Sequence, residues 1–280
     1  MTNIYAEPIP GQFQTVTTAD GTSINTVSLG SGSPVVLAHG YAFDMHGWNI
    51  VAAGLVERGH RVIAFDQRGH GKTTIGSKGL DSEQMASDYV AVLEHYDVHD
   101  AVLVGHSMGG FLGIRFLVDY PDVVRDRLKG VVLISTFAGD VNRGNPQNRL
   151  QIPLIQTGVI SKIVGNNKMG TAFAKSLMGD NKDPDMIVAF RAGFGAQNLA
   201  PTVPVLKAMV QENRYDRLGE ITLPCTVLVG DKDKTTPAFH SDDLNKGIAG
   251  SKLIRVPGMG HLLIWEDAQV VIDEVCALAD

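Results

Sequence analysis

The 280-residue sequence has only two cysteines, Cys225 and Cys276, and neither stands at a metal-ligand spacing from other ligand residues. Disulfide-stapled scaffolds and zinc ribbons are therefore excluded, and the two side chains read as buried free thiols. No stretch approaches the roughly 18 unbroken apolar residues that a membrane-spanning helix requires. Basic charge is scarce and scattered. Lys and Arg total 24 against 30 Asp and Glu, a formal net charge of −6. A nucleic-acid surface needs a concentrated basic stripe, and none is present. Residues 1–8 lack a basic region followed by an apolar core, so no secretory signal is read and the expected location is cytoplasmic.

What remains is ordinary for a globular enzyme-sized chain, and its order is informative. Short apolar, β-branched runs at 35–38, 61–65, 101–104, 130–134, 225–229 and 252–256 each end at turn residues. Such runs fit strands buried on both faces of a parallel sheet. Helical patterns separate them: one from Asp81 to about Tyr96, one from just after Ser107 to Tyr120-Pro121, and a last one from about Glu266 to Leu278. Ahead of these, 13–18 and 23–29 flank Asp20-Gly21 and read as an antiparallel hairpin. Strand–helix alternation of this kind predicts an α/β fold with an open, mostly parallel sheet.

The alternation stops between about Phe137 and Arg217. That stretch contains helix-like patches at 150–163, 169–178, 185–194 and 203–212 but no convincing strand. A structureless loop of such length is implausible in a compact domain. The expected organisation is a core of residues 1–136 and 218–280, with 137–217 inserted as a helical cap.

The segment Gly105-His106-Ser107-Met108-Gly109-Gly110 matches G-x-S-x-G between an expected strand and an expected helix, the context that gives the pattern meaning. Ser107 at so sharp a turn projects its hydroxyl into a cleft, and the following helix N-terminus faces any developing oxyanion. A serine hydroxyl needs a base, and the base needs an orienting acid. Of nine histidines, His261 lies in the loop between the last strand and last helix, where it can reach Ser107. His106 adjoins the serine but is turned away at a sharp bend; His39 and His70 read as loop ties. His46, His60, His95, His99 and His240 carry no motif context. Asp231 and Asp233 both follow the 225–229 strand, at the sheet edge where catalytic groups collect.

These motifs together resemble the α/β-hydrolase superfamily, particularly its bacterial esterase, lipase and cofactor-free haloperoxidase/perhydrolase branch. His39-Gly40-Tyr41 is similar to the family's oxyanion turn, with Trp48 where many members carry tryptophan. Asp66-Gln67-Arg68-Gly69-His70-Gly71-Lys72-Thr73 resembles the D-x-R-G-x-G-x-S/T turn, with Thr at its end where Ser is commoner. Gly230-Asp231-Lys232-Asp233 with Pro237 resembles the acid loop G-x-x-D-x-x-x-P, which selects Asp233. The resemblance implies a catalytic set of Ser107, Asp233 and His261, an oxyanion hole from the backbone N–H groups of Tyr41 and Met108, and no metal or organic cofactor. Asp66 and Arg68 are expected to form a turn-stabilising ion pair. Serine at the elbow separates the chain from relatives that use aspartate there to attack saturated carbon.

The implied activity is hydrolysis of a carboxylic ester through an acyl-enzyme on Ser107. Lactone or carbon–carbon bond hydrolysis, perhydrolysis and hydroxynitrile-lyase chemistry use the same triad, and a ligand-binding receptor on this scaffold is a reading of another class. The partner is expected to be a small, apolar carbonyl compound; oligomeric state is not legible. Leu154, Ile155, Ile160, Ile163, Phe173, Leu177, Met178, Phe190, Phe194 and Met209 are candidates for an acyl pocket, and Tyr41 for a lining side chain. Arg191 and Arg214 are candidates for a substrate carboxylate, against the plainer reading of exposed helix arginines.

Overall fold

A computed structural model of the chain describes residues 2–144 and 151–280. Its sheet has eight strands: β1 (Gln12–Thr17), β2 (Ser23–Leu29), β3 (Pro34–Ala38), β4 (Arg61–Phe65), β5 (Ala101–His106), β6 (Leu128–Ile134), β7 (Cys225–Gly230) and β8 (Lys252–Val256). They lie in the order β1-β2-β4-β3-β5-β6-β7-β8. β1 and β2 form the hairpin and β2 pairs antiparallel with β4; every other neighbouring pair is parallel. Every residue of β5 and β7 is buried, which is why these segments read as unbroken apolar runs. β1 is an edge strand, exposed everywhere except Val16.

Helices α1 (Asn49–Glu57), α2 (Ser82–His95), α3 (Met108–Asp119), α4 (Pro121–Arg127), α5 (Gln151–Gln156), α6 (Val159–Gly165), α7 (Asn167–Leu177), α8 (Pro184–Ala196), α9 (Val203–Gln211), α10 (Phe239–Gly247), α11 (Leu263–Glu266) and α12 (Ala268–Ala279) complete the described chain. α1 packs on α12 and α2 on α3. The Asp81 carboxylate caps α2 by accepting from Gln84 N–H at 2.8 Å. Pro121 ends α3 as its sequence position suggests, yet it also occupies the first turn of α4, where its missing N–H costs nothing. The expected C-terminal helix is α12, which begins at Ala268, and Glu266 instead ends the short α11 before it. The chain breaks at Asp267, with φ −148° and ψ 70°, and the Asp267 side chain caps α12.

Asp66 and Arg68 do not pair with each other. The Asp66 carboxylate is turned into its own loop, accepting from Asn25 Nδ2 (2.7 Å), Met45 N–H (2.8 Å) and Lys72 N–H (2.9 Å). Arg68 points the other way. Its buried guanidinium bonds Asp20 in the hairpin turn at 2.6 Å and Asp88 on α2 at 2.7 Å. One cation thus fastens the hairpin and a helix to the loop after β4, and its removal leaves two buried carboxylates facing each other.

Between β6 and β7 the chain leaves the sheet and forms α5 to α9. The two ends of this excursion are drawn together by an antiparallel bridge between Gly139 and Asn213. Arg214 N–H donates to Ala138 C=O at 2.8 Å and Asp140 N–H to Glu212 C=O at 3.1 Å. The patch expected at 150–163 is split at Gly158, which adopts φ +67°, into α5 and α6; Leu150 lies outside the described residues. The N-terminal arm secures α8. Asn3 Nδ2 donates to Asp185 C=O (2.8 Å) and Tyr5 Oη to the Asp183 carboxylate (3.2 Å). Asn49 Nδ2 fixes the same arm to the core through Ile4 and Glu7 carbonyls, at 2.6 and 2.9 Å.

Candidate active site

Ser107 follows the last residue of β5 and precedes the first of α3, and its backbone has φ 52° and ψ −118°. Non-glycine residues rarely hold such angles, and surrounding structure must over-determine them. Here Ser107 N–H donates to Ile134 C=O at 2.9 Å, and Thr136 Oγ1 donates to Ser107 C=O at 2.6 Å. Gly109 allows the turn to lie against the next strand, since a Cβ there would stand 2.2 Å from the Ala38 carbonyl oxygen. The turn therefore holds the Ser107 hydroxyl at the carboxyl edge of the central strands.

Two loops at that same edge deliver the partners. His261, after β8, places Nε2 3.0 Å from Ser107 Oγ. Its Nδ1 lies 2.9 Å from Asp233 Oδ2, in the loop after β7. Asp233 is itself anchored: Oδ1 accepts from Thr235 N–H (2.8 Å) and Thr236 N–H (2.9 Å), and Oδ2 from Thr236 Oγ1 (2.8 Å). Burial alone raises the Asp233 carboxyl, but the adjacent His261 ring and the Thr236 donors outweigh it and hold it below the ordinary carboxylate range. Asp231 is exposed and serves the loop instead, accepting from Gly258 N–H at 2.8 Å.

Of the two residues expected to supply backbone N–H groups, Met108 directly follows Ser107 and Tyr41 lies in the turn after β3. As the first residue of α3, Met108 has no intrahelical acceptor for its N–H. The turn carrying Tyr41 is fixed by His39, whose Nδ1 donates to Gly40 C=O (2.8 Å) while Nε2 accepts from Gln67 N–H (2.9 Å). That double use requires a neutral ring, and burial pulls the His39 pKa down accordingly. The Tyr41 side chain lines the cavity, with Oη 2.8 Å from Thr202 Oγ1. His106 does not bond Ser107. Its Nε2 lies 2.8 Å from the His261 carbonyl oxygen, which makes it a donor there, and burial lowers its pKa to about 3.

Above Ser107 lies a cavity between the sheet edge and the helices of the excursion. Phe173, Leu177, Phe190, Phe194 and Met209 of the expected set line it, joined by Leu206 and Val210, which the sequence reading did not single out. Leu154, Ile155, Ile160, Ile163 and Met178 are elsewhere. Among the described residues, no Asp, Glu, Lys or Arg lines it. Arg191 and Arg214 do not reach it. Arg191 donates to Val164 C=O at 3.2 Å, and Arg214 is buried rather than exposed, paired with Glu212 at 2.5 Å. Phe43, Phe190 and Phe194 also form the wall of a second cavity, beneath the N-terminal arm.

Among the described residues, no cluster of three or more His, Cys, Asp or Glu is arranged to hold a metal ion. Nor is any helix among them long and apolar enough to cross a membrane.

A family model described as the alpha/beta hydrolase fold matches residues 33–268. A non-heme haloperoxidase from Rhodococcus erythropolis is 27% identical over 276 residues, covering 91% of this chain and 95% of that protein. Among solved structures, an esterase from Exiguobacterium antarcticum superposes with a TM-score of 0.84 at 23% identity, covering 96% of this chain and 98% of its own. A bromoperoxidase from Bacillus anthracis gives 0.81, also at 23% identity, over 95% and 99% of the two chains.

Proposed function

The chain belongs to the α/β-hydrolase family, and from that premise we propose that it hydrolyses small, neutral, apolar carboxylic esters through an acyl-enzyme on Ser107. The observation that carries this reading is the unbroken relay from Ser107 Oγ through His261 to Asp233, beside a cavity lined mostly by aromatic and aliphatic side chains. His261 Nε2 takes the Ser107 proton as Oγ attacks the ester carbonyl. Asp233 fixes the ring so that Nδ1 carries its hydrogen, and it stabilises the imidazolium that forms. Negative charge on the carbonyl oxygen is met by the N–H groups of Tyr41 and Met108, whose positions are set before substrate arrives. The imidazolium then protonates the leaving alcohol. Water, deprotonated by the same ring, releases the acid and restores Ser107.

The cavity supports the substrate class. Its aromatic and aliphatic lining favours apolar acyl or alkyl groups, and among the described residues no cation is placed to meet a substrate carboxylate. The helices between β6 and β7 act in this reading as a cap that excludes water from the acyl-enzyme.

Peroxide chemistry is a second reading, favoured by the haloperoxidase and bromoperoxidase relatives. Hydrogen peroxide in place of water at the second step transfers the acyl group to a peroxide oxygen, giving a peroxy acid and free Ser107.

The test is fluorophosphonate labelling with mapping of the modified peptide, together with turnover of p-nitrophenyl esters of increasing chain length. Label on Ser107, lost in Ser107→Ala and slowed in His261→Ala, is expected. Undiminished ester turnover by Ser107→Ala would refute the proposal. Peroxy acid production from an ester in the presence of peroxide separates the second reading from the first.

A further inference from the structure

Glu266 has no part in the chemistry just described, yet it is a buried acid close after His261 in the chain. It closes α11, where the sequence pattern suggested only the start of a longer helix. Its side chain does not pair with a cation. It accepts three backbone N–H groups instead, and their identities are informative. Gly260 N–H donates to both oxygens, at 3.1 and 3.0 Å, and Leu262 N–H to Oε1 at 3.1 Å. These two residues flank His261 on either side. The third donor, Gly179 N–H at 2.6 Å, comes from the segment that follows α7 in the excursion between β6 and β7.

That segment is seated directly on the His261 loop. His261 N–H donates to Leu177 C=O at 2.7 Å, Asp180 N–H donates to Gly258 C=O at 2.7 Å, and Lys232 forms an ion pair with the Asp180 carboxylate. The two backbones touch without intervening side chains. A Cβ on Gly179 would lie 2.0 Å from the Gly258 carbonyl oxygen, and one on Gly260 would lie 2.5 Å from Gly179 N. Glu266 sits under this seam with an oxygen toward each strand of it.

On the proposed reading of the relay, we infer that Glu266 is a positioning residue that fixes the His261 backbone and locks it to the segment after α7, making base and cap one mechanical unit. The geometry requires the carboxylate form. Both oxygens face N–H donors, so a carboxylic acid proton there would have no acceptor among these contacts. Burial pushes the Glu266 carboxyl up, and the three N–H groups offset this only in part. Gln is therefore a sharp probe. It has nearly the same shape, but its amide nitrogen would be turned toward a backbone donor, leaving that donor unmatched.

The test uses the full chain as wild type, Glu266→Gln and Glu266→Asp, assayed on one p-nitrophenyl ester, by the rate of fluorophosphonate labelling, and by thermal melting. For Glu266→Gln the expected result is a tenfold or greater fall in kcat with KM within twofold. The labelling rate should fall by the same factor, because both depend on His261 meeting Ser107 Oγ. Glu266→Asp, which keeps the charge on a shorter stem, is expected to lie between the two. A lowered melting temperature with unchanged kcat and labelling would make Glu266 a structural anchor only and overturn the inference. A rise in KM with kcat intact would overturn it equally. Should Glu266→Gln fail to fold, the Asp variant carries the same readouts: wild-type kcat and labelling from it refute, intermediate values support. Absence of label on wild-type Ser107 instead refutes the relay itself, and that failure is visible before any Glu266 variant is made.

Discussion

Mild acid should destabilise this protein chiefly through its buried histidines. His70 and His106 are 1% exposed and His240 fully buried. Burial lowers their pKa values to about 3, 3 and 4 respectively, from an ordinary value near 6.5. A group depressed in the folded state binds fewer protons there than in the unfolded chain once pH drops below about 6.5. The stability tied to its neutral form is therefore present above that value and is lost as pH falls toward the folded pKa. Between pH 7 and pH 5 each such histidine costs about 2 kcal/mol, or about 6 kcal/mol for the three. Asp88 works in the opposite direction. Burial lifts it to about 6 against the pull of Arg68, so the folded state gains a proton there and recovers about 1 kcal/mol. His39, also lowered by burial, adds to the loss, and Glu266, raised by burial, subtracts from it. The net loss of about 5 kcal/mol is comparable with the whole stability of many domains, roughly 5–15 kcal/mol. Asp20 and Asp233, both held below the ordinary range, lose their contribution only in stronger acid, so the net loss between pH 7 and pH 5 comes from the histidines. Guanidinium unfolding at pH 7, 6 and 5, with proton uptake followed in unbuffered solution, measures this directly. A free energy that stays within about 1 kcal/mol across that range would refute the reasoning.

Other expectations follow from the same contacts. Asp233→Asn should keep the fold but reduce kcat by about 10⁴, because Nδ1 of His261 then faces an amide and the ring loses its required tautomer; steady-state kinetics with a melting curve as control decides it. Phe190→Ala should move the preferred ester chain length upward by opening the wall shared by the two cavities, and an unaltered chain-length profile would count against that wall as a specificity element. Arg68→Ala should destabilise the fold by about 3–5 kcal/mol in denaturant titration, since it strands Asp20 and Asp88. Loss of activity without loss of stability in that variant would instead bring Arg68 into the chemistry.

What was legible in the sequence was local. The runs ending at Ala38, Phe65, Val104 and Val229 announce buried strands because apolar continuity and a following turn are both short-range signals. Ser107 stood out for the same reason, its strand, turn and helix being contiguous. α1 was missed since Ile50, Val51, Ala52, Leu55 and Val56 surround most of its circumference, leaving no polar face to set a period. Arg68 was given the wrong partner because its real ones stand 48 and 20 residues away, where spacing carries no information. Glu266 left no trace at all. Its partners are backbone N–H groups, one of them 87 residues distant, and every residue type but proline supplies such a donor. Pocket lining was half legible: hydrophobicity nominates Phe173 and Leu154 alike, and only packing separates the one that faces the cavity from the one that does not.

The N-terminal arm has a practical consequence at the bench. Its first few residues are the guy-rope of α8, the helix that contributes Phe190 and Phe194 to the cavity. A fusion partner joined ahead of Asn3, or a trimmed start beyond Tyr5, tugs on or cuts that rope and is expected to alter substrate preference while leaving Ser107, His261 and Asp233 untouched.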